Sequence, residues 1–100
     1  MNEELLLQYL KTNCQSRKHT RKSIDIERAL SISGNELRRQ VNRLRKKGVP
    51  IGSSKDGYFY AVTAGEVYTT IRQLQTMSKG LEAAIHGLEQ SLDAFGAEKG

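Results

Sequence analysis

The chain is poor in the residues on which most protein chemistry is built. Its 100 positions hold one cysteine, Cys14, so no disulfide can close within the chain and no cysteine-based metal centre is available. His19 and His86 are far apart in sequence and have no partner ligands beside them, so no metal-binding pattern is present. There is no glycine-rich phosphate loop and no nucleophile at a usable spacing from a base, so an enzyme reading has little to stand on. No cofactor and no small-molecule ligand is evident. Long apolar runs, low-complexity tracts and internal repeats are also missing, and no signal-type leader is expected. The chain is therefore expected to be soluble and intracellular, with no membrane partner. Hydrophobic residues make up 37%, enough for one small domain with a modest core and an appended helix.

What the sequence does have is positive charge, unevenly placed. Residues 1–60 hold thirteen Lys or Arg against six Asp or Glu, whereas residues 61–100 hold three against five. A basic front of this kind suits a polyanionic partner.

Residues 3–13, EELLLQYLKTN, carry Leu6, Leu7 and Leu10 at helical spacing. A polar, basic connector follows, and then SIDIERAL, with Ser23 as N-cap and Ile26, Ala29 and Leu30 as its apolar stripe. Residues 31–33 end that short helix. Ser33 and Glu36 form a capping box that opens a third helix, in which Leu37, Val41 and Leu44 make one narrow buried stripe. Arg38, Arg39, Asn42, Arg43 and Arg45 lie off the stripe. Gly48 and Pro50 end the helix. Ile51 and the run 58–62 read as strands around the turn Lys55-Asp56-Gly57, with Tyr58 and Tyr60 on the core face and Phe59 open. Cys14 reads as a small core residue. Thr63 and Glu66 form a second capping box and start a last helix.

The fold class this predicts is mainly α with a small β-hairpin. Two short helices joined by a tight turn, the second basic and followed by a hairpin, is the order of a winged helix-turn-helix. The stretch Ser33-Gly34, Leu37-Arg38, Val41, Leu44-Arg45, Gly48, Pro50-Ile51 and Gly57-Tyr58-Phe59 also resembles the winged-helix module at the amino terminus of biotin-operon repressors. It is closer still to short phage and prophage proteins of Gram-positive bacteria. The resemblance covers about residues 24–70. Tyr60 departs from it, since such modules more often have Leu there. The resemblance does not extend to a biotin-ligase domain, so no ligase activity is expected from it. The resemblance implies binding to double-stranded DNA as a transcriptional regulator, in the cytoplasm of a bacterial cell or a phage-infected host.

Side-chain chemistry points the same way. Arg can bond guanine and Asn adenine in bidentate fashion in the major groove, which makes Asn35, Arg38, Arg39, Asn42 and Arg43 the candidate base readers. Lys46 and Lys47 at the helix end and Arg17, Lys18, Arg21 and Lys22 before the second helix suit backbone phosphates, and Lys55 at the hairpin tip suits a neighbouring phosphate or the minor groove. The rival reading is an interaction adaptor or a replication or segregation factor.

From Val67 to Phe95 apolar residues recur in a 4-3 pattern. This predicts a long coiled-coil-like C-terminal helix pairing two copies through Leu74, Leu81, Ile85, Leu88, Leu92 and Phe95, parallel or antiparallel. A break near Gly80 stays open. The expected layout is a DNA-binding domain over 1–62, an oligomerisation helix over 63–96 and a disordered tail over 97–100.

Overall fold

The capping sequences mark helix starts in the computed structural model, which describes residues 3–77 and 82–98. Helix α1 spans Glu3–Asn13, a 3₁₀ turn spans Arg17–His19, and helices α2 and α3 span Ser23–Leu30 and Gly34–Lys46. Strands β1 (Ile51–Ser54) and β2 (Gly57–Tyr60) follow, then helices α4 (Ala64–Met77) and α5 (Glu82–Ser91) and a 3₁₀ segment, Leu92–Glu98. The Ser33 side chain accepts the Glu36 amide at 3.1 Å, and Thr63 Oγ1 accepts the Glu66 amide at 3.2 Å. Glu66 reaches back to the Val62 amide at 2.8 Å and also accepts the Arg17 amide at 3.0 Å, tying the basic connector to the start of α4. Ser23 does not cap α2. It is the first residue inside the helix, and its hydroxyl donates to Glu27 at 2.9 Å.

Residues 31–33 turn the chain between α2 and α3. Ser31 sits in the left-handed region at φ 56°, and the Ile32 amide closes back on the Glu27 carbonyl at 3.0 Å. A side chain is strained there. Ser31→Gly is expected to stabilise the fold by about 0.5–1 kcal/mol, after the extra freedom of glycine in the unfolded chain is subtracted. A urea midpoint that falls in this variant would count against the turn. At the other end of α3, Gly48 takes φ 91° and Val49 donates to the Leu44 carbonyl at 3.0 Å, the expected glycine stop.

The hairpin is antiparallel, with Gly52 opposite Phe59 and Ser54 opposite Gly57. Phe59 is the inward aromatic, 2% exposed, while Tyr58 and Tyr60 are half-buried. This reverses the expected faces. Gly52 decides the matter: a Cβ there would lie 2.3 Å from the Phe59 ring, so the missing side chain is the space the ring fills. The connector before α2 lies along the outer edge of β2. Arg21 and Tyr58 exchange two backbone hydrogen bonds at 3.1 Å, and Tyr60 pairs with Cys14 and Ser16. Cys14 is buried as expected, and burial raises its thiol pKa against the opposing influence of Arg21.

A single hydrophobic cluster joins Leu6, Leu10, Ile26, Leu37, Val41 and Leu44 to Val67, Ile71, Leu74, Ile85 and Leu88. Here the structure departs from the long coiled-coil-like helix. The helical stretch is two helices, and α5 turns back onto α3 and α4. Leu74, Ile85 and Leu88 are buried within the chain, and Leu92 and Phe95 pack partly buried against the same cluster. Gly87 makes the crossing close: a Cβ on it would come within 1.6 Å of the Arg45 carbonyl oxygen. The described part of the apolar seam is covered by the domain itself, and the core does not stop at residue 62. Leu81 and the position near Gly80 where a break stays open lie outside the described residues, as do residues 99–100 of the expected tail; residues 97–98 belong to the last 3₁₀ segment. Among the described residues no helix is long and apolar enough to cross a membrane.

Candidate functional site

Helix α3 buries Leu37, Gln40, Val41, Leu44 and Arg45, which aims the rest of its turns outward. Asn35, Arg38, Arg39 and Lys46 are exposed on that outer side and Asn42 is half-exposed. Arg38 and Asn42 form one wall of an open groove of about 850 Å³. Lys55 at the hairpin tip and Lys22 at the start of α2 line the same groove, and Gln73 and Leu74 of α4 close it. The fold thus brings four of the sequence candidates together from three separate segments.

The local structure explains how. Arg21 is clamped to Tyr58 by paired backbone bonds, and a Cβ on Gly57 would lie 1.9 Å from the Arg21 carbonyl oxygen. Only glycine permits this approach, and it sets Lys22 beside the hairpin. Arg21 itself turns to α1, where its guanidinium donates to the Tyr9 hydroxyl at 3.3 Å. Arg17 and Lys18 are exposed on the 3₁₀ turn.

Arg43 and Lys47 go elsewhere. Both lie on the flank of α3 that meets α1, where Lys47 Nζ is 3.0 Å and Arg43 Nε 3.8 Å from the Glu3 carboxylate. Arg43 is also 3.7 Å from Glu36, and Arg39 is 3.0 Å from it. Arg38, Lys22, Lys46 and Lys55 make no ion pair among the described residues. The hydrogen bond from Lys47 holds the Glu3 carboxyl below its ordinary value of 4.5, with further help from the charges of Lys47 and Arg43. Glu36 is lowered too, first by the hydrogen bond from Gln40 and then by Arg39 and Arg43. A lowered folded-state pKa stabilises the fold above the unfolded value, and that contribution disappears as pH falls through the folded value. Glu3→Gln is therefore expected to flatten the loss of thermal stability below pH about 4.5 while costing stability at neutral pH. Parallel acid-melting curves for the two proteins would disprove this coupling.

Two buried polar residues of α3 escaped the sequence pattern. Arg45 is 3% exposed; its Nε donates to the Ile51 carbonyl at 2.9 Å and its guanidinium carbon lies 5.9 Å from the Tyr58 ring centre. Its Nη2 has no hydrogen-bond partner among the described residues. Burial lowers its pKa to about 10, so it stays charged at neutral pH. Gln40 donates to Glu36 at 3.0 Å, and its Oε1 is buried without a partner among the described residues. The available signal was spacing: Arg45 lies four residues after Val41, on the rim of the apolar arc. Among the described residues no cluster of His, Cys, Asp and Glu could hold a metal ion. Compared against protein-family models, curated proteins and solved structures, the chain matches none of them.

Proposed function

We propose that this chain is a winged helix-turn-helix protein that binds double-stranded DNA sequence-specifically and regulates transcription. The supporting observation is the meeting of Arg38 and Asn42 with Lys22 and Lys55 around one groove, none of the three cations held by a carboxylate among the described residues. In this reading α2 and α3 form the helix-turn-helix and the β1–β2 hairpin is the wing. Helix α3 lies in the major groove. Arg38, Asn35 and Asn42 face base edges, and Lys46, Lys22 and Lys55 meet phosphates on either side. Arg39, Arg43 and Lys47 take a smaller part, because Glu36 and Glu3 already offset their charge. Pairing of two copies through the C-terminal seam is left out, since Leu74, Ile85 and Leu88 are already covered within the chain.

Selection of bound fragments from random duplexes, followed by titration across a salt series, tests the proposal. A recovered consensus is expected, with log affinity falling against log salt at a slope of roughly −3.5 to −5.5, as for about four to six neutralised phosphates. Random recovered sequences with a flat salt response would favour the adaptor reading instead. Sedimentation of the free protein is expected to give a monomer.

A further inference from the structure

The groove has a feature that duplex binding does not use. Its cations are not all at the rim: Arg45 contributes to the lining from within the core, and its Nη2 is left without a partner among the described residues. A buried guanidinium normally has a carboxylate or several carbonyls around it, because an unpaired charge away from water is costly. Among the described residues it has one carbonyl, from Ile51, and the face of Tyr58. Among the described residues the only acid lining the groove is Asp56, at the hairpin turn, against Lys22, Arg38, Lys55 and Arg45. Tyr58 and Leu74 add apolar surface beside these charges. A volume of about 850 Å³ falls within the range of small-ligand clefts. Positive charge, an apolar wall and an unsatisfied donor fit an organic anion that is small and flat on one side.

We propose that this groove is an effector site for a small organic phosphate ester, its oxyanion held by Arg45 with Lys55 and Lys22 and its apolar body lying on Tyr58 and Leu74. Because Arg38, Asn42, Lys22 and Lys55 also belong to the DNA face, the ester competes with the duplex. This second part rests on the DNA reading; binding of the ester does not. A duplex riding on the exposed side chains offers its phosphates at the rim, whereas a small ester can enter the groove, which is why a free ligand is assigned to the recessed guanidinium.

The probe is 1-naphthyl phosphate, with inorganic phosphate and neutral 1-naphthalenemethanol as its two halves, followed by NMR at the Arg45 side-chain Nε and the Gly57 amide. Saturable shifts at both positions are expected for the ester, with Kd below about 1 mM, and weaker binding of each half. Arg45→Met is expected to weaken the ester roughly tenfold or more while leaving duplex affinity within about twofold. Gln73→Glu, which sets a carboxylate in the groove wall on the surface of α4, gives the same loss should Arg45→Met fail to fold. No saturation by about 10 mM, or equal binding by both variants, overturns the site. Loss of duplex binding with unchanged ester binding in Arg45→Met assigns the guanidinium to the DNA backbone and also overturns it. At constant ionic strength the ester is expected to raise the apparent duplex Kd in proportion to its occupancy; a duplex Kd that ignores bound ester overturns the competition. If no duplex binds at all while the ester saturates with these sensitivities, the DNA reading fails and the effector site stands.

Discussion

Gly87→Ala is expected to cost roughly 3 kcal/mol or more, the upper end of what overpacking costs, although the change adds one methyl group. The new Cβ would lie 1.6 Å from the Arg45 carbonyl oxygen and 2.8 Å from the Lys46 Cα. Both are backbone atoms of α3, and no side-chain rotation relieves the overlap. Helix α5 must lift, exposing Ile85 and Leu88, which together with Leu74 seal the end of the core. Gly65→Ala is the control. Its Cβ would meet nothing nearer than Thr63 Oγ1 at 3.8 Å, so the better helix propensity of Ala is expected to add about 0.5–1 kcal/mol. Chemical denaturation of the two variants separates these outcomes. A Gly87→Ala protein as stable as its parent would mean that α5 does not dock on α3 in solution, and the coiled-coil pairing of the seam would return as the better account.

Arg38→Ala combined with Asn42→Ala is expected to lower affinity for a selected site by about 2–6 kcal/mol, from about 1–3 kcal/mol for each base-reading side chain removed. On a scrambled duplex the same pair of substitutions costs far less, since only Arg38 carries charge. Arg43→Ala with Lys47→Ala is expected to do little on either duplex, because Glu3 and Glu36 hold those two side chains on the α1 flank. Fluorescence anisotropy at one fixed salt concentration ranks the four combinations. Equal losses on both duplexes for Arg38 and Asn42, or a larger loss for Arg43 and Lys47, would remove α3's outer face from the role of reader.

The starts of α3 and α4 and the end of α3 were legible because their signals are local, whereas Ser23 was misread as the cap of α2. Ser33 and Thr63 each bond an amide three residues on, and Gly48 takes the left-handed turn that stops α3. Partners were not legible. A 4-3 apolar spacing says that one face of a helix is covered, and it reads alike whether the cover is a second chain or the same chain returning. Gly87 held the missing information, since a glycine outside the apolar seam marks a surface where another backbone comes near. The hairpin faces were misread for a related reason. Alternation separates Tyr58 and Tyr60 from Phe59, but which set turns inward depends on Gly52 across the ladder, a tertiary fact. At the site, charge pattern identified the cations of α3 without showing that Glu3, near the start of the chain, would hold two of them.

The hairpin's two edges have a bearing on solubility. A two-stranded ribbon with free edges is a template on which further strands can add, in the manner of fibril growth. In this chain β2 is bordered by the connector, through Cys14, Ser16 and Arg21, and the flanking Arg17, Lys18 and Lys22 repel any strand of like charge. On the other edge the Ser53 amide donates to Thr70 of α4 at 3.1 Å, and the Ile51 carbonyl is taken by Arg45. With both borders occupied by its own chain, the ribbon gives a neighbouring molecule no ladder to extend. Conditions that free the connector, such as loss of the Glu66 bonds to the Arg17 and Val62 amides, are the ones under which this small basic protein would be expected to aggregate first.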